Sequence, residues 1–435
     1  MQANFIEELR WRGMLHDMMP GTEEQLNKEM TAAYIGFDPT AASLHIGNLA
    51  TIMLLKHLQL CGHKPFALVG GATGMIGDPS GKAAEREFLS EETLRFNQDS
   101  IQKQLEKFLD FNSGANSAEM VNNYDWFKDF SFLGFLREAG KHLSVNYMMS
   151  KDSVKKRLET GISFTEFSYQ LLQGYDFYWL YKNKSVRLQM GGSDQWGNIT
   201  TGTEIIRRKE GGSEEIEHRA FALTTPLVTK ADGTKFGKSE SGNVWLDPEM
   251  TTPYQFYQFW LNTADTECPR LLRVFSLYNQ TEIETLEAQH AEAPHLRIMQ
   301  KALAKDVTSR VHSGKDFDIV KQASELLFDK NVMETFEQVE NAVIEALDRI
   351  SINKEEYSQC ANVTDLLATL VVDASGESVI FKSKGDTRKA IQANAVSINK
   401  QKITDSNKTL DFVLLREKYL IVNFGKQKVY ILEIK

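Results

Sequence analysis

The residues best suited to chemistry lie in two short segments about 190 positions apart. His45-Ile46-Gly47-Asn48 follows a strand-like stretch, Tyr34-Ile35-Gly36-Phe37, and opens an apolar helix through Leu49, Ile52, Met53, Leu54 and Leu55. Lys235-Phe236-Gly237-Lys238-Ser239 is a small-residue loop with two lysines three positions apart, ahead of the strand-like Asn243-Val244-Trp245-Leu246. A helix N-terminus offers unpaired N–H groups and partial positive charge, which suit a phosphate. Gly47 leaves the backbone open to close approach, and His45 can donate to a phosphate oxygen. The lysine pair adds mobile positive charge of the kind that closes over a polyphosphate. Taken singly, the segments also read as a helix cap and a solvated basic loop. Taken together, they predict a nucleotide held between a fixed cradle and a flexible lid.

A second constellation is Tyr169-x-x-x-Gln173-x-x-Asp176, which helical spacing places on one face. Its neighbours are Phe164, Phe167, Leu171, Leu172, Phe177, Tyr178 and Trp179, so these polar groups must be satisfied in apolar surroundings. Either an internal network or a ligand with its own donors and acceptors does this. A tyrosine substrate suits the pattern, its phenol donating to Asp176 and its ammonium met by Tyr169, Gln173 and Asp78. Gln189, Gly191-Gly192, Asp194 and Gln195 follow in a strand and loop suited to a ribose and to a carboxylate or α-phosphate.

Two nucleotide motifs are excluded. In Gly74-Met75-Ile76-Gly77-Asp78-Pro79-Ser80-Gly81-Lys82-Ala83, Ile76 stands where a P-loop needs its first glycine. Ala83 replaces the magnesium-holding hydroxyl. Gly71, Gly74 and Gly77 are each three apart, which is not a dinucleotide fingerprint. Lys82 and Arg86 still lie four apart on one face of an expected helix, where they could meet phosphate or simply solvent.

The elements that must carry these residues follow from hydrophobic patterning. Strand-like runs at 33–37, 64–69, 185–190 and 220–223 alternate with helical patterns, which predicts a Rossmann-like, doubly wound parallel sheet with ligands at the carboxyl ends of the strands. The first nineteen residues read as an amphipathic helix without a signal peptide's uninterrupted apolar core. From 251 to 350 strand signals vanish, and 282–290, 296–311 and 317–350 read as helices. The expected organisation is a catalytic domain at 1–225 and a mobile loop and connection at 226–250. An all-helical domain follows at 251–350, a linker at 351–362, and a small basic α+β domain at 363–435 with strand-like runs at 379–381, 420–422 and 429–432.

Composition narrows the class. The chain has 435 residues, 42% hydrophobic and 25% charged, with no 18-residue apolar run, so no membrane partner is expected. Cys61, Cys268 and Cys360 are scattered without metal-ligand spacing, which fits a reducing, cytoplasmic setting and no structural zinc. The net charge of −9 is unevenly distributed. Residues 379–435 carry 12 Lys/Arg against 5 Asp/Glu, and the rest carries 38 against 54. An acidic body with a basic tail of domain size is the asymmetry expected when one module touches RNA or DNA.

In these motifs the sequence resembles the class I aminoacyl-tRNA synthetases, and within them the bacterial-type tyrosyl-tRNA synthetases. Tyr34 to Thr40 followed by His45-Ile46-Gly47-Asn48 is similar to the family's first strand and HIGH motif. Gly74 to Lys82, Tyr169 to Asp176 and Gly191 to Gln195 match in order, and Lys235 to Ser239 resembles KMSKS. Residues 384–402, with Arg388-Lys389-Ala390 and Asn394-Ala395-Val396, resemble the RNA-binding module of a ribosomal small-subunit protein. Two positions depart from the pattern. Asn48 stands at the fourth HIGH position and keeps a side-chain donor, while Phe236-Gly237 leaves both lysines and Ser239 in place.

The resemblance implies attack of tyrosine's carboxylate on the α-phosphorus of ATP, then transfer of the tyrosyl group to the terminal adenosine of tRNA. It implies that Thr40, His45, Lys235 and Lys238 meet the departing phosphates, with Asn48 and Ser239 in the same motifs and Lys82 and Arg86 as outer helpers. Gly36, Asp38, Gly47, Gly192 and Asp194 would hold ATP. Tyr34, Asp78, Tyr169, Gln173, Asp176, Gln189 and Gln195 would line the tyrosine pocket. Arg388, Lys389, Asn394, Lys400 and Lys402 would meet RNA. Magnesium is expected to accompany ATP without a dedicated protein site, and the family implies a homodimer. A tryptophanyl relative would share the fold, but the phenol-directed pair Tyr34 and Asp176 favours tyrosine. A non-catalytic RNA-binding protein would need neither His45 and Gly47 nor the two lysines.

Overall fold

Short apolar strands separated by helices build a six-stranded sheet in the order β1-β6-β5-β2-β3-β4. The strands are β1 (Asp17–Met18), β2 (Ala32–Phe37), β3 (Lys64–Val69), β4 (Glu119–Asn122), β5 (Val186–Gly192) and β6 (Phe221–Thr225). All pairings are parallel except β1 with β6. The computed structural model describes residues 4–78, 80, 89–151, 154–155, 157, 161–211, 219–229, 236–239, 242–373, 376–425 and 428–435. Strand order reverses between β2 and β5, the switch point at which an open α/β sheet leaves a crevice for ligands. Parallel strands buried on both faces read as continuous apolar runs, so β2, β3, β5 and β6 were legible within two residues at their ends. A separate two-stranded hairpin follows, β7 (Lys238–Ser239) with β8 (Gly242–Asn243).

Among the helices of the described residues that accompany the six-stranded sheet are α1 (Phe5–Arg12), α2 (Ile46–Leu60), α3 (Glu91–Leu105), α4 (Phe164–Lys184) and α5 (Trp196–Lys209). α4 starts where the Ser163 side chain accepts from the Glu166 N–H at 3.1 Å. A buried bidentate pair holds the same turn, Arg157 donating to Glu166 at 3.0 and 2.8 Å. The expected N-terminal helix is shorter than its amphipathic pattern. Gly13 takes φ 69° and closes α1 with bonds to Arg10 and Leu9, and Asp17 and Met18 then turn into edge strand β1.

Two compact units divide the chain. The first comprises Met1–Thr251 and Phe259–Val311; the second comprises Thr252–Gln258 and His312–Lys435. α6 (Cys268–Phe275), α7 (Gln280–Glu292) and α8 (Ile298–Val311) therefore share a unit with the sheet, whereas α9 (Gly314–Phe328) and α10 (Val332–Gln338) belong to the second. The stretch expected to be helical to 350 breaks into short helices and ends in strand β9 (Arg349–Ile352).

β9 joins β10 (Val396–Ile398), β11 (Gln401–Lys402), β12 (Tyr419–Phe424) and β13 (Lys428–Ile434) in the order β11-β10-β12-β13-β9. The segment 351–362, read as linker from its polarity, contains the end of β9 and a helix, Lys354–Gln359. β9 pairs parallel with β13 and buries Ile352 in the second core. The expected strand at 379–381 is irregular backbone. Phe381 is buried there against Phe424, ring centroids 4.8 Å apart, and Val379 N–H donates to Val371 O at 3.0 Å beside the isolated Val372–Ser378 bridge, so the short apolar run serves the core outside the five-stranded sheet. Among the described residues no helix is long and apolar enough to cross a membrane.

Candidate active site

One part of the candidate site begins where β2 turns into α2. Gly36 and Thr40 are exposed beside half-buried Asp38, and His45 is the N-cap residue of α2. The His45 backbone N–H donates to Asn48 Oδ1 at 3.1 Å, so half-buried Asn48 stiffens the first turn. A Cβ on Gly47 would lie 2.7 Å from the His45 ring, and glycine is what lets the imidazole fold over the helix N-terminus.

The lysine-bearing loop returns directly onto this turn. β7, with Lys238 and Ser239, pairs antiparallel with β8. Backbone bonds then tie the chain to the helix start: Ile46 N–H to Val244 O at 3.0 Å and Leu246 N–H to Leu44 O at 2.8 Å. The Trp245 ring lies 5.9 Å from the His45 ring. Gly237 has φ +88°, and a Cβ there would sit 3.3 Å from Ile46 Cβ and 3.4 Å from Gly47 N. The residue before it, Phe236, is buried among Phe259, Trp260 and Phe275 at centroid distances of 5.3, 5.8 and 5.7 Å. The two departures from KMSKS thus have physical partners, an aromatic anchor and a backbone-to-backbone approach. Lys82, Arg86 and Lys235 lie outside the described residues, and of Lys238 and Ser239 only the backbone is described.

The second part of the site lies on β2, β5 and α4. Parallel register sets Tyr34 beside Gln189. Both are buried, and the Tyr34 hydroxyl and Gln189 Oε1 have no hydrogen-bond partner among the described residues. Gln173 Oε1 on α4 is in the same condition. Asp176 is 2% exposed and accepts from Asn123 Nδ2 at 3.0 Å and Trp126 Nε1 at 2.9 Å. Burial pushes its carboxyl up to about 8, against the opposing pull of these two donors. Burial, with Asp176 nearby, holds the Tyr34 phenol well above its ordinary range.

A chain of side chains leads from Asp176 back to the turn after β2. Asn123 also donates to Thr73 Oγ1 at 3.0 Å, Thr73 donates to Asp38 Oδ1 at 2.7 Å, and the Tyr169 hydroxyl donates to Asp38 Oδ2 at 2.7 Å. Asp38, read on the nucleotide side, is therefore tied to the wall that also carries Tyr169. Asp78 accepts from Gln195 Nε2 at 2.8 Å, and Asn198 on α5 donates to Gln195 Oε1 and to Ser80 Oγ at 3.2 Å each. Gly192 ends β5, and Asp194 is exposed in the turn that follows.

Sequence reading missed Thr73, Asn123, Trp126 and Asn198. Each is an ordinary residue in its own segment and acquires a role only through its partners, most of which lie far away in the chain. In the second unit, Arg388 and Lys389 on α11 (Lys384–Gln392) are exposed, as are Asn394, Lys400 and Lys402. Asn399 and Lys400 take φ of 46° and 62°, which projects a tight turn between β10 and β11.

An inward wall of acceptors without partners among the described residues, beside a helix N-terminus at the carboxyl ends of the central strands β2 and β5, suits condensation of a small polar molecule with a nucleotide. Comparison with known proteins gives the same class. The family described as tRNA synthetases class I (W and Y) matches residues 26–329, and the tyrosine--tRNA ligase SYY-like C-terminal domain matches 334–432. A tyrosine--tRNA ligase of Cytophaga hutchinsonii is 61% identical over 433 residues, 99% of each chain. One from Amoebophilus asiaticus is 57% identical over 435 residues, again 99% of each. Among solved structures, a C-terminally truncated mitochondrial tyrosyl-tRNA synthetase of Aspergillus nidulans aligns with a TM-score of 0.67 at 30% identity, covering 75% of this chain and 94% of that one. Fold and site thus define a class I aminoacyl-tRNA synthetase. Within that class the chain belongs to the bacterial tyrosyl-tRNA synthetases, which activate tyrosine with ATP and charge tRNA with it.

Proposed function

We propose that tyrosine binds with its phenol between Tyr34 and Asp176 and its ammonium toward Tyr169, Gln173 and Asp78. The observation that carries this reading is the buried set of Tyr34 hydroxyl, Gln189 Oε1 and Gln173 Oε1, which lack partners among the described residues beside a doubly held Asp176. Buried polar atoms left unpaired cost stability, and a ligand with matching groups removes that cost. Gln195, held by Asn198, faces the reacting carboxyl.

ATP lies across the carboxyl ends of β2 and β5, its adenosine toward Gly36, Asp38, Gly192 and Asp194. Its phosphates lie at Thr40, His45, Gly47 and Asn48 beneath Lys235, Lys238 and Ser239, with Lys82 and Arg86 further out. No protein nucleophile is needed, so the rate comes from positioning and from stabilising phosphate charge. Magnesium enters as part of the nucleotide substrate, the phosphates supplying its oxygen ligands. The catalytic work belongs to the first 225 residues and the loop to 250, and RNA recognition to the helices and the basic module beyond.

The exposed side chains Phe132, Leu133, Leu136, Val145, Met149 and Phe164 support a homodimer, because apolar groups of this size are seldom left in water without a partner. Arg388, Lys389, Asn394, Lys400 and Lys402 face tRNA. The work is cytoplasmic, where tRNA and ATP are both at hand. ATP–pyrophosphate exchange with each of the twenty amino acids, without tRNA, tests the pocket. Exchange with tyrosine alone is expected; exchange with tryptophan would overturn the phenol reading, and none with any amino acid would overturn the catalytic one.

A further inference from the structure

Gln104 sits in the last turn of α3, far in sequence from every motif above, yet it is buried and uses both ends of its amide. Its Oε1 accepts the Leu44 N–H at 2.9 Å, and its Nε2 donates to Ser43 Oγ at 3.0 Å. Ser43 Oγ donates to the Leu44 carbonyl at 2.7 Å and accepts the Asp247 N–H at 3.1 Å. Leu44 immediately precedes His45, and Asp247 ends the segment that returns from the Lys238 hairpin. The same two segments are joined by the backbone bonds of Ile46 to Val244 and of Leu246 to Leu44, and Val244 N–H donates to Gly237 O at 2.8 Å.

A buried backbone N–H without an acceptor is costly, and the Leu44 N–H is not part of the Leu44–Leu246 bond, which uses the Leu44 carbonyl. A side chain reaching in from another element serves it. Gln104 does so and, through Ser43, fixes the Asp247 amide with the same group. One amide therefore clamps the start of α2 and the returning strand into a single piece.

We propose that Gln104 is a positioning residue for adenylate formation, setting the helix N-terminus at His45 and the strand returning from Lys238 in one fixed geometry. The proposal rests on the reading that both segments face the ATP phosphates. The proposed tyrosine pocket stands on β2, β5, α4 and the loops at Asp78 and Gln195, whereas the hydrogen bonds of Gln104 go to Ser43 and Leu44.

The test uses the 435-residue chain with Gln104→Leu and Ser43→Ala, each alone and combined. Pyrophosphate exchange gives kcat and KM for ATP, and equilibrium titration gives the tyrosine Kd. A displacement of reacting groups by about 1 Å costs on the order of 100-fold in rate, so kcat should fall between about 10- and 100-fold. The tyrosine Kd should stay within about twofold, and the double variant should be no worse than the poorer single one, as for residues of one network. Gln104→Glu keeps an acceptor for the Leu44 N–H but loses the amide donor to Ser43 Oγ and buries a carboxyl, so it should not restore the rate; Ser43→Ala, which removes a single oxygen, serves as the folded test if Gln104→Leu does not fold. Unchanged kcat in Ser43→Ala, or losses of kcat and tyrosine affinity in equal proportion, would overturn the proposal. His45→Ala is measured alongside: if it leaves exchange intact, the phosphate reading itself has failed, whatever Gln104 does.

Discussion

Replacing Tyr34 with phenylalanine removes one oxygen and leaves the ring, which packs 5.5 Å from Phe177, in place. Tyr34 is 1% exposed and its hydroxyl has no partner among the described residues, so the loss acts in opposite directions on the free and the liganded protein. In the free protein, removing an unsatisfied buried hydroxyl recovers a desolvation cost of ~1–3 kcal/mol, and unfolding should move to higher urea or temperature. In the tyrosine complex, the substrate phenol loses one uncharged hydrogen bond worth ~0.5–1.5 kcal/mol. At ~1.4 kcal/mol per decade this lowers kcat/KM for tyrosine by about 2- to 12-fold. Phenylalanine has no phenol to lose, so the tyrosine-to-phenylalanine ratio in pyrophosphate exchange should fall by the same factor. Urea unfolding without ligand and exchange with both amino acids measure the two effects independently. A variant that is less stable than the parent, or one whose selectivity is unchanged, would refute the view that this hydroxyl is held in reserve for the substrate.

Asp176 carries a pH signature. Its folded value of about 8 lies above the ordinary 3.8, so its stabilising contribution is complete below about pH 3.8 and is lost as pH rises through 8. Stability of the unliganded protein should decline across that window, and Asp176→Asn should flatten the decline in urea unfolding at stepped pH. Phe236→Ala deletes the anchor of the lysine loop and should slow adenylate formation while sparing tyrosine affinity. Phe236→Met, which refills the same apolar site, should restore the rate; an equally slow methionine variant would contradict the anchoring role. Lys400→Glu and Lys402→Glu should weaken tRNA binding, lower the salt slope by about 1 per lost phosphate contact, and leave pyrophosphate exchange untouched; unchanged tRNA affinity would exclude this turn from the interface. Leu133→Asp, at a side chain 71% exposed, should shift sedimentation toward the monomer, and an unaltered profile would move the subunit contact elsewhere.

The clearest signals in the sequence were those of local origin. β2, β3 and β5 stood out because strands covered on both faces are continuously apolar, and Tyr169, Gln173 and Asp176 lined up because helical spacing is a property of the segment alone. β1 and β4 were not legible. β1 is two residues at a sheet edge, and β4 is half-buried Glu119-Met120-Val121-Asn122, with neither alternation nor an apolar run. The division of the helical stretch between two compact units was hidden for a related reason: amphipathic helices show that a face is buried but not against what.

The sequence by itself determined which residues could bind a phosphate or a phenol, and in what order they come. Only the tertiary structure decided how they are held. Asp176 meets its donors Asn123 and Trp126 across 53 and 50 residues, and Gln104 reaches Leu44 across 60. Tyr34 and Gln189 become neighbours solely because β2 pairs with β5. Such partnerships depend on which strands lie side by side and on which buried polar groups still need a partner once they do. Local periodicity carries no record of either.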